Sequence, residues 1–341
     1  MKKLILSILI VTTLSSIYAQ NIKNEKIKVK YLQLPYTPLK EELKTYRKTI
    51  ELISLKLDDS RTRLTSEISN SLNLRGYNEV QEGADMELYA RLEEYSAEGL
   101  FVNSEERTET KSDKTTVKYY VYIGVCEMKY PLYFRFRDIK ADRTIFEGYI
   151  NNSERYAKKR TSEFTSQANA KSALEQLVVE GKRELFNSNV GALSGKIFND
   201  FSFSPLEYSW SINYVETSKK ANYDDVVAAK EATKTALESL SNKSHQVSIE
   251  SETLILKAID MWQSILNESN LDDKKARIDK KVTMAVLENI AYCYFFIQNF
   301  SEADKFMLQA MNVDKKAWQL ELKDMIIKTK KRFKANNVDF K

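Results

Sequence analysis

The segment LENIAYCYFFIQNFSEADKFMLQA, residues 287–310, contains two helical patterns separated by a short turn. Apolar or small residues recur at helical spacing on both sides of that turn: Leu287, Ile290, Ala291, Tyr294, Phe300, Ala303, Met307 and Ala310. Intervals of three and four residues place side chains on one face of an α-helix. The segment therefore predicts two helices packed against each other, and the small side chains of Ala291 and Ala303 allow a close approach.

This helix–turn–helix pattern resembles the tetratricopeptide repeat (TPR), a unit of about 34 residues. It departs from the repeat at Gln298, where glycine is usual, and at Lys315, where proline is usual. A weaker, earlier unit is suggested by the helical patterns at 226–240 and 258–265, and residues 318–333 resemble a terminal cap. The resemblance implies an all-α, TPR-like domain over residues 223–341.

TPR arrays usually bind a peptide or helix of a partner on a concave face. The resemblance places Asn289, Tyr292 and Phe296 on that face of the first helix of the clear repeat. Tyr292 and Phe296 are one turn apart, so they share a side of the helix. We predict these three residues as partner-binding residues, with burial in the helix core as the alternative.

The preceding part of the chain alternates between apolar and polar residues, as expected of half-buried strands. Alternation is clear at 27–31, 86–92, 117–125 and 208–214, while 104–116 is polar and predicts a hairpin loop. Helical patterns begin near Asp58 and span about 167–187. These elements predict an α+β domain over residues 20–218, with an antiparallel sheet and two packed helices. Their order, and the segment 134–150, resemble the small α+β domains of bacterial envelope lipoproteins.

The N-terminus has the three parts of a secretory signal peptide. Lys2 and Lys3 precede an apolar run that ends near Leu14, and Ala19 offers a small residue at a cleavage site. A run of about eleven residues is too short to span a bilayer, which takes about 20. We therefore predict a signal peptide over residues 1–19 and a periplasmic or secreted mature protein. A retained membrane anchor is the alternative.

Charge disfavours nucleic acid as a partner. The chain has 53 basic and 48 acidic residues, and removing Lys2 and Lys3 lowers the net charge from +5 to +3. A nucleic-acid-binding domain usually carries a clustered positive field. Dense basic stretches occur only at 158–160 and 328–334, and lysines near a helix C-terminus also suit the helix dipole.

Residue types that commonly carry catalysis are scarce. His245 is the single histidine, and Cys126 and Cys293 are the two cysteines. Three such residues, far apart in sequence, do not make a usual zinc site or a nucleophile–base pair, and no glycine-rich phosphate loop occurs. The acidic pairs at 93–94, 105–106, 224–225 and 272–273 fit caps or solvated turns. We therefore expect no catalytic residue, cofactor or metal, and no enzyme activity.

The sequence thus favours an exported scaffold or assembly factor that binds envelope proteins through its TPR-like face. The alternative is a periplasmic carrier or sensor that holds a lipid or glycan in the α+β domain. Five tyrosines between positions 119 and 133 predict either a sheet core with a half-wet outer face or a contact surface, because tyrosine buries a large area and keeps a polar tip. Peripheral association with a membrane is left open.

Overall fold

The computed structural model describes residues 21–53, 59–218 and 221–341, without the side chains of Asp59 and Ser60. The predicted signal peptide, residues 1–19, and the predicted helix start at Asp58 lie outside the described residues. Within the described part, the chain contains seven α-helices and ten strands, and most of the helices lie in the C-terminal half. The predicted mixed α+β class is confirmed. None of the helices described is long and apolar enough to cross a membrane.

Contacts divide the chain into two compact units. One, the sheet unit, is Leu34–Ser204. The other, the helical unit, combines the described residues up to Gln33 with Pro205–Lys341. The domain limits predicted from the sequence, 20–218 and 223–341, do not anticipate that two strands distant in sequence belong with the helices.

The sheet unit contains a five-stranded sheet in the order β3-β2-β4-β7-β8. Its strands are β2 (Thr45–Leu52), β3 (Asn78–Glu79), β4 (Met86–Leu92), β7 (Leu132–Asp138) and β8 (Arg143–Tyr149). The pairs β4–β7 and β7–β8 are antiparallel, but β2 runs parallel to β4, with Tyr46 opposite Met86. The prediction of a purely antiparallel sheet is wrong here, because helix α1 (Asp59–Ser71) lies in the crossover between β2 and β4.

The core of the sheet unit lies between this sheet and two helices. The predicted face of α1 is buried: Leu64 and Ile68, and Leu72 directly after the helix, are at most 5% exposed. Helix α2 (Gln167–Lys196) is longer than the predicted 167–187 and adds Phe186 and Leu193 to the same core. A single π-helical turn, Ile197–Phe201, follows α2.

A second sheet of this unit has the order β5-β6-β9, with strands β5 (Ser96–Thr110), β6 (Thr116–Lys129) and β9 (Ala157–Arg160). The predicted loop 104–116 is wrong over most of its length, since β5 continues to Thr110 and only residues 111–115 turn. The distal part of β5 is largely exposed to solvent. Because neither face of this part of the strand is buried, its sequence does not alternate between apolar and polar residues.

The helical unit contains a two-stranded sheet of β1 (Lys23–Gln33) and β10 (Ser204–Tyr214). Its helices are α3 (Asp224–Glu238), α4 (Ile249–Leu266), α5 (Lys280–Phe296), α6 (Phe300–Val313) and α7 (Ala317–Ala335). Each helix packs against the next one in sequence. Caps set two of the starts: the Asp279 carboxylate accepts from the first amides of α5, and the Ser248 hydroxyl accepts from Ser251 at the start of α4.

Candidate functional site

Asn289 holds strand β10 against helix α5. Its side chain is 0% exposed. The Asn289 Nδ2 donates to the Asn213 carbonyl at 2.7 Å, and the Asn213 N–H donates to the Asn289 Oδ1 at 3.1 Å. One buried amide therefore satisfies both backbone groups of a strand residue, which fixes the strand across the helix.

The other two predicted partner-binding residues also face β10. Tyr292 is 2% exposed and its ring centroid lies 5.2 Å from that of Trp210. Phe296 is 6% exposed and lies 6.1 Å from Trp210 and 6.2 Å from Tyr208. The helix face predicted to bind a partner is thus covered by β10, a strand of the same chain. Asn289, Tyr292 and Phe296 are buried in the core, which is the alternative that the sequence also allows.

Two carboxyl groups and two phenols lie close together at this face: those of Glu288, Glu321, Tyr208 and Tyr292. The Tyr208 hydroxyl donates to Glu321 Oε1 at 2.9 Å. Burial, with a smaller contribution from the Glu321 charge, raises the pKa of Glu288 to about 7. The pKa of Tyr292 is also raised. Burial is the main cause, and the neighbouring Tyr208 adds to it. Glu288 can therefore take up and release a proton near neutral pH. Neither Glu288 nor Glu321 lines the groove at the end of α5 or the cavity beside Tyr130.

A groove of about 420 Å³ opens at the end of α5 and is called the Phe296 groove here. Helix α5 contributes Phe296 and its end contributes Gln298, and strand β1 contributes Lys30 and Tyr31. The connection from α3 to α4 and the start of α4 contribute residues 239–241, 244–249 and 251. Phe296 therefore belongs both to the covered face and to an opening that β10 leaves free. Sequence spacing alone places Phe296 on α5 but contains no signal for this groove, which three distant segments form.

The walls of the Phe296 groove combine apolar and hydrogen-bonding groups. Leu240 is 8% exposed, whereas Ile249 at the start of α4 is 83% exposed. Ser239 Oγ donates to Ser251 Oγ at 2.8 Å. The Gln298 side chain donates to the carbonyl of His245 and ties that loop to the end of α5. An apolar floor with polar walls and one exposed isoleucine suits a side chain of a protein partner.

The groove shows no nucleophile–base pair. His245 and several serines line it, but within the described part of the chain no hydrogen bond joins the His245 ring to any of them. Cys126 and Cys293 are buried free thiols in different units, and burial raises the pKa of the Cys293 thiol to about 12. A thiol of this kind is a weak nucleophile. Across the described residues, no group of three histidine, cysteine, aspartate or glutamate side chains could hold a metal ion.

Members of three of the four acidic pairs bind cations or phenols. Glu93 accepts from Arg91 and from the Tyr149 hydroxyl. Asp225 forms a two-bond pair with Arg277 at 2.7 and 2.9 Å. These contacts give the carboxylates structural partners.

The predicted tyrosine cluster divides between core and surface. Tyr119 is 41% exposed and Tyr120 58%, near the tip of the β5–β6 hairpin, whereas Tyr130 is 1% exposed and belongs to the core. Tyr133 is half-buried in the five-stranded sheet. The two interpretations given for the cluster therefore apply to different members.

No family model matches this chain, and no curated protein does. Among solved structures, it is similar to a putative neuraminyllactose-binding hemagglutinin homolog from Helicobacter pylori, with 15% identity, a TM-score of 0.22, and coverage of 48% of this chain and 95% of that one. A PelC dodecamer from Paraburkholderia phytofirmans matches at 13% identity and a TM-score of 0.16, covering 46% and 95%. A PDZ domain protein from Parabacteroides distasonis matches at 10% identity and a TM-score of 0.16, covering 84% and 65%. TM-scores this low assign neither fold nor function.

Proposed function

We propose that this protein is an exported scaffold or assembly factor of the bacterial envelope that binds a partner protein at the Phe296 groove of a TPR-like helical unit. The signal peptide predicted from the sequence of residues 1–19 supports the compartment. The sequential packing of α3 to α7 supports the TPR-like arrangement. So does Gln298, whose φ of +62° lies in the left-handed region that glycine favours, at the position where the repeat usually has glycine.

The exposed Ile249 beside the groove is the observation that carries this proposal. An isoleucine that is 83% exposed lines the same groove as the buried Phe296 and Leu240, so the groove offers apolar surface both to the solvent and inside. Apolar anchors that meet a preformed pocket contribute most of the binding energy in protein interfaces. Of the three residues predicted from the sequence, Phe296 contacts the partner in the groove. Asn289 and Tyr292 act indirectly, by holding β10 against α5.

The partner surface that fits best is an extended peptide. Neighbouring residues of a strand point to opposite faces, so a groove lined by both Lys30 and Tyr31 meets β1 at its edge. In the sheets described, the single strand neighbour of β1 is β10. A peptide can add to such an edge through main-chain hydrogen bonds while one apolar side chain enters the groove. Lys30 favours an acidic residue beside that apolar side chain.

Site-specific photo-crosslinking in intact cells tests the proposal. A photoreactive phenylalanine at Ile249 should crosslink one defined envelope protein, whereas the same group at Ile327, a 56% exposed isoleucine on α7, should not. Ile249→Glu should then reduce capture of that protein by about tenfold or more, with Ile327→Glu as the matched control. Equal crosslinking from both positions, or capture that Ile249→Glu leaves unchanged, would overturn the assignment of the groove.

The export part is tested separately. The intact mass of the protein purified from the periplasm or medium should correspond to a chain that begins at Gln20, after cleavage behind Ala19. Recovery of the full-length chain from the cytoplasm would contradict export and leave the groove experiment to be repeated with cytoplasmic proteins.

A further inference from the structure

The sheet unit contains a cavity of about 230 Å³ between its two helices, called the Tyr130 cavity here. Helix α1 contributes Arg63 and Leu64, and helix α2 contributes Lys182, Arg183 and Phe186. Tyr130 lies between β6 and β7 and lines the same cavity. This site lies outside the groove of the proposed function and does not depend on it.

Tyr130 presents a hydrogen-bonding group without a partner. The residue is 1% exposed, its ring packs on Tyr95 and Phe186 at 5.6 and 6.1 Å, and its carbonyl accepts from the Asn189 amide at 2.8 Å. Among the residues that the structure describes, its buried hydroxyl has no hydrogen-bond partner. A buried hydroxyl left in this state costs about 1–3 kcal/mol. Burial raises the pKa of Tyr130 to about 12, so the group stays a neutral donor at physiological pH.

Three cationic side chains, those of Arg63, Lys182 and Arg183, line the same cavity as Tyr130. The Lys182 ammonium lies 5.9 Å from the centroid of the Tyr130 ring and 5.8 Å from that of Tyr95. In the described part of the chain, neither Lys182 nor Arg183 has a carboxylate partner within 4.0 Å. Arg63 has one, Glu67, at 2.9 Å on the exposed side of α1. Arg63, Lys182 and Arg183 carry three positive charges, and Glu67 neutralises one of them, so the lining of the cavity has an excess of positive charge.

We infer that the Tyr130 cavity binds an anionic headgroup, a phosphate ester that carries a small apolar group. The exposed Lys182 and Arg183 side chains supply donors on the polar side, and guanidinium and ammonium groups together suit phosphate oxygens. Leu64 and Phe186 supply the apolar side. Pockets for drug-sized ligands measure about 300–1,000 Å³, so a cavity of about 230 Å³ takes a headgroup and not an acyl chain.

A longer apolar chain on the same ligand has a place to continue. Val179, one turn before Arg183 on α2, also lines the cavity and is 73% exposed. An exposed valine at the mouth would contact the first methylenes of a lipid outside the cavity. The headgroup chemistry is therefore common to an anionic lipid and to a soluble phosphate ester.

Isothermal titration of the full mature chain distinguishes these sources. The probes are propyl phosphate and dihexanoyl phosphatidylglycerol below its micelle concentration, with uncharged dihexanoylglycerol as the control. Saturable binding of both anionic probes would support a site for the headgroup itself, and binding of the lipid alone would support an anionic lipid. Binding of neither, or equal binding of the uncharged control, would overturn the inference.

Matched variants locate the binding. Lys182→Gln and Arg183→Gln should each weaken binding by about tenfold, because each removes a charged donor. Lys171→Gln should not, since Lys171 is exposed on the same helix and does not line the cavity. Tyr130→Phe should unfold at an equal or higher urea concentration, because the hydroxyl it removes is buried without a partner. Affinities that are the same in the Lys182 and Lys171 variants would overturn the site.

Discussion

At the scale of single residues, Asn289 shows how one side chain positions a strand. Its amide makes both hydrogen bonds to the backbone of Asn213, and it does so at 0% exposure. Asn289→Ala leaves a partly buried N–H and a partly buried carbonyl without partners. We expect the free energy of unfolding to fall by about 2–4 kcal/mol.

Urea denaturation followed by circular dichroism measures this loss. Asn312→Ala is the matched control, because Asn312 is exposed on α6 and makes no side-chain hydrogen bond among the described residues. Its effect should stay within about 0.5 kcal/mol. Equal losses in the two variants would show that the Asn289 amide does not hold β10.

The carboxyl of Glu288 makes stability depend on pH. Its pKa is raised from 4.5 to about 7, first by burial and then by the Glu321 charge. The folded protein therefore binds this proton more tightly than the unfolded chain does. The stabilisation is complete below about pH 4.5 and is lost as the pH rises through about 7, with a magnitude on the order of 2–3 kcal/mol.

Glu288→Gln resembles the protonated side chain at every pH and isolates this effect. At pH 8 the variant should be more stable than the natural protein, and at pH 4.5 the difference should shrink towards zero. Urea denaturation at both pH values measures the two differences, and all other titrating groups cancel. A difference that does not change between pH 4.5 and pH 8 would contradict the raised pKa.

The residues of α5 also show where inference from sequence stopped. Spacing correctly placed Ile290, Ala291 and Tyr294 on a buried face. It could not show that Asn289, Tyr292 and Phe296 are buried as well, because a periodic pattern reveals one covered face and not what lies on the other. The run AYCYFFI at 291–297 was the available signal, since a helix that is apolar all round is buried all round.

At the scale of elements, helix α2 packs closely on strand β6 at Gly124. A Cβ atom at this position would lie 2.8 Å from the Leu174 Cβ and 3.2 Å from the Ala170 carbonyl oxygen. These atoms belong to a helix turn and cannot swing aside. We expect Gly124→Ala to lower the free energy of unfolding by about 1–3 kcal/mol.

Gly191→Ala is the matched control in α2. A Cβ atom there meets nothing within 4 Å, and alanine is the better helix former. This variant should raise the free energy of unfolding by about 0.5–1 kcal/mol. Thermal unfolding of both variants checks the opposite signs, and destabilisation of similar size in both would mean that the close approach at Gly124 has no special cost.

The distal part of strand β5 is predicted as a loop from the sequence, and its exposure explains why. Its partner β6 alternates in sequence because Val121, Ile123 and Val125 are at most 4% exposed. The distal part of β5 is mostly exposed and polar, so its residues do not alternate in hydrophobicity. Strand pairing, and not burial, holds it in place, with Arg107 opposite Tyr119 and Thr110 opposite Thr116. Backbone pairing of this kind leaves no pattern in the amino-acid sequence.

At the scale of the whole molecule, long-range pairing decides which segments belong together. The helical unit takes its strands from both sides of the 34–204 segment, since β1 ends at Gln33 and β10 continues from Pro205. Local patterns predicted both strands. They could not predict that the strands pair with each other, because the pairing joins residues roughly 170–190 positions apart and no local signal encodes it.

A comparison of two fragments tests this organisation. Residues 223–341 alone lack Trp210 and leave Tyr292 and Phe296 without the strand that covers them. We expect this fragment to keep helical circular dichroism but to bind a hydrophobic dye and melt without a sharp transition. Residues 21–33 joined to 205–341 by a flexible linker of roughly ten residues should melt cooperatively, because β10 then covers α5.

The Trp210→Ser variant of the longer fragment separates the strand's side chains from its backbone. Trp210 is 5% exposed and contacts both Tyr292 and Phe296, so its loss should lower the melting temperature of the longer fragment towards the behaviour of the short one. If residues 223–341 instead fold as cooperatively as the longer fragment, β10 is not part of the helical core. The face of Asn289, Tyr292 and Phe296 would then be available to a partner whenever the strand leaves, and partner binding should compete with β10 for it.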